Sequence, residues 1–326
     1  MAPYYDGLAA FLFRQLFWAI PDPPPVRLDG QRVLVTGGNS GVGYYLTSML
    51  VSRGAEVVMA VRSITKGREA RDTIINDVPG AQISVRNCDL GCFESMRTFI
   101  AELHRDGLTF DIVVFNAGVW CAEWIASADG LDMTLQVNVL ANAFLATSLQ
   151  PLLRSGIGRP ARMVFVTSEG HAMIPTNFRR DERMLAQFDS QSPPGVFNHY
   201  THYYSSKLFG LLWAMAFARR VDPENVSIVL ASPGLCKSNL FRHVQSGPTN
   251  VLTWCFARSC LDGARMILTA VLEERDCRSS RPEDTYYSQG GIAPVSRFAS
   301  APAGPFWHEK LWDEVAQCLK SVNCAL

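Results

Sequence analysis

Short runs in which apolar, often β-branched residues follow one another without alternating constrain this chain more than any other feature. Arg32–Gly38 (RVLVTGG), Ala55–Val61 (AEVVMAV), Ile83–Asn87 (ISVRN), Asp111–Asn116 (DIVVFN), Arg162–Ser168 (RMVFVTS) and Val226–Ser232 (VSIVLAS) read as strands covered on both faces. Segments of helical length separate them, which implies right-handed β-α-β crossovers and a parallel sheet. The expected fold class is therefore α/β, a doubly wound parallel sheet flanked by helices. Ligands of such a sheet are held beyond the carboxyl ends of its strands.

A chain of 326 residues with 48% apolar side chains can bury a full core. Residues 25–326 read as a single domain. Residues 1–24 precede it as an apolar helix and a proline-rich linker: GLAAFLFRQLFWAI, residues 7–20, followed by PDPPP. That apolar stretch is too short to cross a bilayer, which takes about 20 residues. It lacks the basic flank and cleavage site of a signal peptide. Packing on its own domain or on a dimer partner is the preferred reading, and a helix lying in a membrane interface is the alternative. Residues 169–202 and 235–260 leave the strand–helix alternation and read as substrate loops at the ligand edge. In the tail, Trp307, Leu311, Val315 and Leu319 recur at helical spacing and read as core.

Thirty basic and thirty acidic side chains cancel, so no long-range field recommends nucleic acid or an anionic membrane as the main partner. The nine cysteines contain no Cys-x-x-Cys pair and read as reduced thiols of a cytoplasmic protein, peripheral to a membrane only through residues 7–20. Cys324 lies one place too late for a prenylation signal.

The first strand ends in TGGNSGVG: Thr36, Gly37, Asn39, Ser40, Gly41, Val42 and Gly43 fall in a strand-to-helix turn. Glycines there let backbone amides approach a pyrophosphate at the positive end of a helix, as expected of a Rossmann-type sheet. The Gly-x-x-x-Gly-x-Gly spacing departs from the common dinucleotide fingerprint and resembles the cofactor loop of the short-chain dehydrogenases/reductases. An acidic residue ending the second strand would hold the ribose hydroxyls of NAD. This chain has Arg62 instead, which suits a 2′-phosphate, so NADPH/NADP+ is the expected cofactor.

The stretch NHYTHYYSSK offers Tyr200, Tyr203 and Tyr204 on helical faces near Lys207, and spacing does not choose among them. The resemblance does: the family's Tyr-x-x-x-Lys motif falls on Tyr203 and Lys207. Asn138 in LQVNVLANAF and Ser168 in VFVTSEGH match the family's helix asparagine and catalytic serine. Asn116, Ala117 and Gly118 match its Asn-Ala-Gly turn, although Phe115 stands where many members carry asparagine. Asp89 and Leu90 in CDL look like the adenine-side element. Pro233 and Gly234 look like the Pro-Gly segment, with Ser238 in place of the usual threonine. The matches run in order over roughly residues 30–290.

What the resemblance implies is carbonyl reduction without a metal: a hydride to the carbonyl carbon, a proton from Tyr203, and a substrate hydrogen bond from Ser168. Lys207 binds the nicotinamide ribose, and Asn138 holds a water in a proton relay. A neighbouring ammonium is expected to lower the phenol's pKa. Details such as SEGH and TYYSQGG resemble the retinol-dehydrogenase-like branch, which includes fungal pathway reductases. The substrate class implied is an apolar small-molecule ketone or aldehyde, polyketide-, steroid- or retinoid-like. Met173, Ile174, Phe178, Phe197, Leu240, Phe241, Trp254 and Phe256 are candidates for an apolar pocket wall. Glu169 and His171 lie close enough to Ser168 to reach a substrate, and for His171 a structural role is preferred. Alternatives are a non-catalytic NADP(H)-sensing regulator, alcohol oxidation as the working direction, and an isomerase or dehydratase. Family habit implies homo-oligomers.

Overall fold

The computed structural model describes residues 8–156, 159–174, 176–189, 197–238, 240, 256–273, 282–322 and 324. Helix α1 (Leu8–Phe17) comes first. The nucleotide-fold alternation follows as β1 (Arg32–Thr36), α2 (Gly41–Ser52), β2 (Glu56–Val61), α3 (Ile64–Asp77), β3 (Gln82–Asn87), α4 (Phe93–Arg105) and β4 (Ile112–Phe115). A helical stretch then opens as α5 (Met133–Leu135), widens to π geometry over Gln136–Leu140, and continues as α6 (Ala141–Leu149). Next come β5 (Ala161–Val166), α7 (His199–Ala218), β6 (Val226–Ala231) and α8 (Cys260–Leu272). The chain closes with β7 (Tyr286–Ser288), β8 (Gly291–Ile292), α9 (Arg297–Ser300) and α10 (Gly304–Ser321).

All eight strands form one sheet in the order β3-β2-β1-β4-β5-β6-β7-β8. The pairing is parallel up to β7, and β8 returns antiparallel to it. The order reverses at β1, which pairs with β2 on one side and β4 on the other, as at Val33↔Val57 and Val33↔Ile112. That switch point is where a crevice opens in sheets of this kind.

The central strands β1, β2, β4, β5 and β6 are largely buried because successive side chains enter different layers; β3, expected to be covered on both faces, lies at the sheet edge and is only half-buried, with Gln82 and Asn87 exposed. Leu34, Val113 and Phe115 join Phe99, Phe144, Leu212 and Leu311 on one face. Val33, Val35 and Val114 join Leu46, Leu50, Ile74 and Ile267 on the other. In α10, Trp307, Leu311, Val315 and Leu319 are buried, as their spacing anticipates. Each such side chain contributes roughly 1.5–3 kcal/mol relative to exposure.

The strands expected from sequence match the first six observed, to within two residues at most ends. β7 and β8, of three and two residues, carry too short a pattern to be seen. Among the described residues no helix is long and apolar enough to cross a membrane. α1 nevertheless exposes Phe13, Leu16 and Phe17, and Trp18 just after it is exposed as well.

Candidate active site

The switch point opens into a cleft of about 430 Å³, within the range of small-molecule sites. The glycine turn forms one wall. Gly37 (φ 65°) and Gly41 (φ 55°) occupy the left-handed region that glycine tolerates. A Cβ on Gly43 would lie 2.3 Å from Gly37 O and 2.5 Å from Asn116 Nδ2, so the loop and the β4 turn close on each other only without a side chain there. α2 begins at Gly41, behind the N-cap Ser40, and its first amides point into this wall. The cradle fits a phosphate-bearing cofactor.

Most of the expected cofactor residues line the cleft. Asn39, Val42, Arg62, Asp89 and Leu90 do so on the side of β1–β3, and Asn116, Ala117, Gly118, Pro233 and Ser238 across it. Arg62 is exposed at the end of β2, with its carbonyl held by Asn87 Nδ2 at 2.9 Å. It forms no ion pair among the described residues. Thr36 and Gly234, expected as contacts, do not line the cleft. Thr36 is buried behind the loop, where its Oγ1 accepts from the amides of Asn116 (3.0 Å) and Ala117 (3.1 Å) and ties the β1 and β4 ends together. Gly234 faces α1: a Cβ on it would meet Gln15 Oε1 at 2.7 Å.

The three tyrosines separate sharply. Tyr203 is 4% exposed and lines the cleft, with the Ser168 hydroxyl in its neighbourhood. Tyr204 instead packs over Gly170, where a Cβ would lie 2.5 Å from its ring. Lys207 is 8% exposed. Its Nζ donates to Val166 O at 3.3 Å and lies 5.8 Å from the Tyr203 ring centre.

The side chains around the phenol do not supply the expected acidification. Burial, reinforced by the nearby Tyr204 phenol, pushes Tyr203 upward, and the neighbouring Ser168 hydroxyl only partly opposes it. Burial also lowers the Lys207 ammonium to about 8. The same desolvation that penalises the phenolate penalises the charge meant to stabilise it.

Asn138 sits inside the π turn, a distortion that re-aims side chains. Its Oδ1 accepts from Val119 N at 2.9 Å, and its Nδ2 donates to Val119 O and Ser206 Oγ, both at 2.9 Å. A methyl on Gly118 would lie 3.2 Å from Asn138 Oδ1 and 3.3 Å from Lys207 Nζ, so both side chains converge behind the β4 turn. There a second cavity of about 20 Å³ is lined by Asn138, Asn142, Thr167 and Lys207. Asn142 Oδ1 and Thr167 Oγ1 are buried without a hydrogen-bond partner. A space of that size with such a lining accommodates one water.

The apolar wall is not the one expected. Ile174 and Phe178 belong to the core, Phe178 packing among Phe209, Phe298 and Trp307. Phe197 packs on His202. Of the candidates only Leu240 lines the cleft, and Phe241 and Trp254 lie outside the described residues. Trp120, Cys121, Ile125, Met133 and Val137 supply the wall instead. Trp120 stacks flat on Tyr203, ring centres 4.2 Å apart and 2° between planes, while its Nε1 donates to His199 Nδ1 at 3.1 Å. Its place two residues after the Asn-Ala-Gly turn is the available signal.

Glu169 and His171 point away from the cleft. His171 is fully buried, its Nε2 accepting from Ser296 N at 3.0 Å. That fixes the proton on Nδ1, which donates to Ser168 O at 2.6 Å. Burial lowers its pKa to about 4.

An open sheet with a glycine turn at its switch point defines an α/β protein of the Rossmann type. Comparison with known proteins gives the family. The short chain dehydrogenase family model matches residues 31–177. The short chain dehydrogenase sol3 of Alternaria solani is 33% identical over 275 residues, 83% of this chain and 95% of the relative. Among solved structures, an uncharacterized protein from Mycobacterium paratuberculosis superposes with a TM-score of 0.67 at 26% identity, covering 90% of this chain and 95% of that one. The NADP complex of Pseudomonas aeruginosa RhlG shares the fold with a TM-score of 0.56 at 21% identity, over 76% and 91% of the two chains. The chain belongs to the short-chain dehydrogenase/reductase family of oxidoreductases.

Proposed function

We propose that this protein uses NADPH to reduce a ketone or aldehyde on an apolar small molecule, with Tyr203 as the proton donor. The observation that carries the reading is one constellation: the Tyr203 phenol, with the Ser168 hydroxyl nearby and Lys207 Nζ 5.8 Å from its ring centre, borders the same cleft as the glycine cradle.

When bound, the cofactor supplies the hydride. The chain's own groups handle the proton and the substrate oxygen. Burial keeps the Tyr203 phenol protonated at neutral pH, the form required of an acid delivering a proton to a developing alkoxide. Alcohol oxidation would run the same steps in reverse, with Tyr203 taking the proton as the phenolate. Ser168 Oγ, already within reach of the phenol, can donate to the same carbonyl oxygen. Lys207, poised near neutrality at about 8, can itself be reprotonated from the one-water cavity it lines with Asn138, Thr167 and Asn142. Arg62 supports NADPH by offering an exposed guanidinium at the end of β2, where a 2′-phosphate can be paired bidentately. Trp120 and its neighbours give the carbonyl compound an apolar, aromatic wall.

The test is Tyr203→Phe, with Tyr200→Phe and Tyr204→Phe as controls, in a screen of ketones following loss of NADPH absorbance. Removing the general acid should lower kcat by about 10²–10⁴ while NADPH affinity is kept. Controls that lose as much as Tyr203→Phe, or a Tyr203→Phe enzyme that keeps its turnover, refute the assignment.

A further inference from the structure

We propose that the N-terminal helix is a working part of this site, and that Arg14 and Gln15 position the Ser168 turn through the buried carboxylate of Glu169. The role in turnover rests on the reading of Ser168 and Tyr203 given above.

Ser168 caps a 3₁₀ turn, Glu169–Ala172, with Oγ accepting from Gly170 N at 3.1 Å. Wherever that turn goes, the serine hydroxyl goes. The next residue, Glu169, is 2% exposed. A carboxylate at that depth persists only if donors surround it. Ser288 Oγ and Gln289 Nε2 each donate to its Oε1 at 2.6 Å, and Arg14 Nη2 from α1 pairs with its Oε2 at 3.3 Å. The single cationic partner of this carboxylate among the described residues thus comes from a helix more than 150 positions away in sequence.

Gln15, 4% exposed, extends the bridge. Its Nε2 donates to Leu235 O at 2.9 Å in the segment after β6, and its Oε1 accepts from Gln289 Nε2 at 3.4 Å. Arg258 fixes the carboxyl end of α1, donating to Arg14 O (2.6 Å), Gln15 O (3.0 Å) and Trp18 O (2.9 Å), where a cation also meets the negative end of the helix. One short helix therefore joins three segments: the Ser168 turn, the stretch after β6 and the β7–β8 turn.

Backbone strain at the same place points the same way. Among the described residues the only non-glycine residue with positive φ is Gln289, at 55°, followed by Gly290 at 80° in the tight turn between β7 and β8. Asparagine or glycine is the easy choice for such a turn. A glutamine there bears an unfavourable backbone, and what it gains is a side chain long enough to reach Glu169 and Gln15. Strain of this kind persists where the surroundings over-determine it.

The experiment compares Arg14→Met, Arg14→Lys and the double variant Arg14→Met/Glu169→Gln in the full chain. Three quantities are read: kcat with 2-tetralone as probe ketone, NADPH affinity by protein fluorescence, and hydrogen exchange of the Gly170 and His171 amides. Leaving the buried carboxylate without its cation should displace the turn, so Arg14→Met should lose about 10- to 100-fold in kcat. Its Gly170 and His171 amides should exchange faster, with NADPH affinity within about twofold of wild type. Arg14→Lys should keep most of the rate. Neutralising the orphaned acid in the double variant should recover most of what Arg14→Met loses, which a general loss of packing would not do. The proposal is overturned by an Arg14→Met enzyme with unchanged kcat, by faster exchange without a kcat change, or by a double variant no better than the single one. If wild-type protein binds NADPH but turns over no ketone, the reductase reading falls, and the positioning contacts then stand or fall on the exchange result.

Discussion

His171 allows a quantitative test of how the Ser168 turn is held. In the unfolded chain an imidazole titrates near 6.5, whereas burial lowers His171 to about 4. The folded state thus refuses a proton that the unfolded state accepts, and stability is lost as pH falls from about 6.5 toward 4. Going from pH 7.5 to pH 5, the unfolded chain gains nearly a full proton at this site while the folded one gains about a tenth. The ratio of the two binding terms corresponds to roughly 2 kcal/mol of lost stability. His308, lowered to about 4 by burial and by Arg219, adds to the same slope, so wild-type behaviour alone does not isolate His171. His171→Gln does, because an amide keeps a polar contact with Ser296 or Ser168 and does not titrate. Urea unfolding at the two pH values should show the variant less stable at pH 7.5 but losing about 2 kcal/mol less than wild type on acidification. Equal losses in the two proteins would mean that His171 is protonated or solvated in the fold, and the tautomer argument for the Ser168 carbonyl would fail with it.

Arg62→Gln should raise KM for NADPH by about tenfold or more, the order expected for a charge-assisted pair, and leave KM for NADH within about threefold. Steady-state kinetics with both cofactors measure this, and equal changes would remove the basis for NADPH preference. Trp120→Ala should raise KM for flat bicyclic ketones more than for open-chain ketones of equal size, by about tenfold in the ratio, because the lost surface is a stacking plane. An unchanged ratio would place the substrate elsewhere in the cleft.

What the sequence carries and what it hides divide by the range of the interaction. Five of the six strands are legible because burial on both faces writes itself into each run of four to six residues, as in Val57–Val61, whereas β3 at the sheet edge shows only through Ile83 and Val85. The glycine turn is legible because Gly37, Gly41 and Gly43 are demanded by local backbone geometry and by one close approach. β7 escapes notice for the opposite reason: Tyr286–Ser288 is a strand only because it can pair with β6. Thr36 and Gly234 show the limit of motif reasoning. Both belong to the pattern, yet one braces the loop from behind and the other makes room for α1.

The pocket wall is illegible for a related reason. An apolar residue in a loop lowers its free energy equally by joining the core or by lining a cleft, and composition alone does not say which. Phe178 finds three aromatic neighbours in the core and stays there. Trp120 has no such choice, since two residues before it Gly118 abuts Asn138 and Lys207, and the chain leaves that turn on the cleft side of α7. Stacked there on Tyr203, the indole excludes water from one face of the phenol. Exclusion of water is also what raises the phenol's pKa. On the proposed reading wall and acid would be one device: the surface offered to a flat apolar substrate would also be the surface that holds the phenol's proton until a carbonyl oxygen takes it. A smaller residue at position 120 would both loosen the substrate and admit the water that lets the phenol ionise, so in Trp120→Ala the alkaline limb of the kcat profile should move to lower pH together with the change in ketone preference. Movement of only one of the two would separate the wall from the acid.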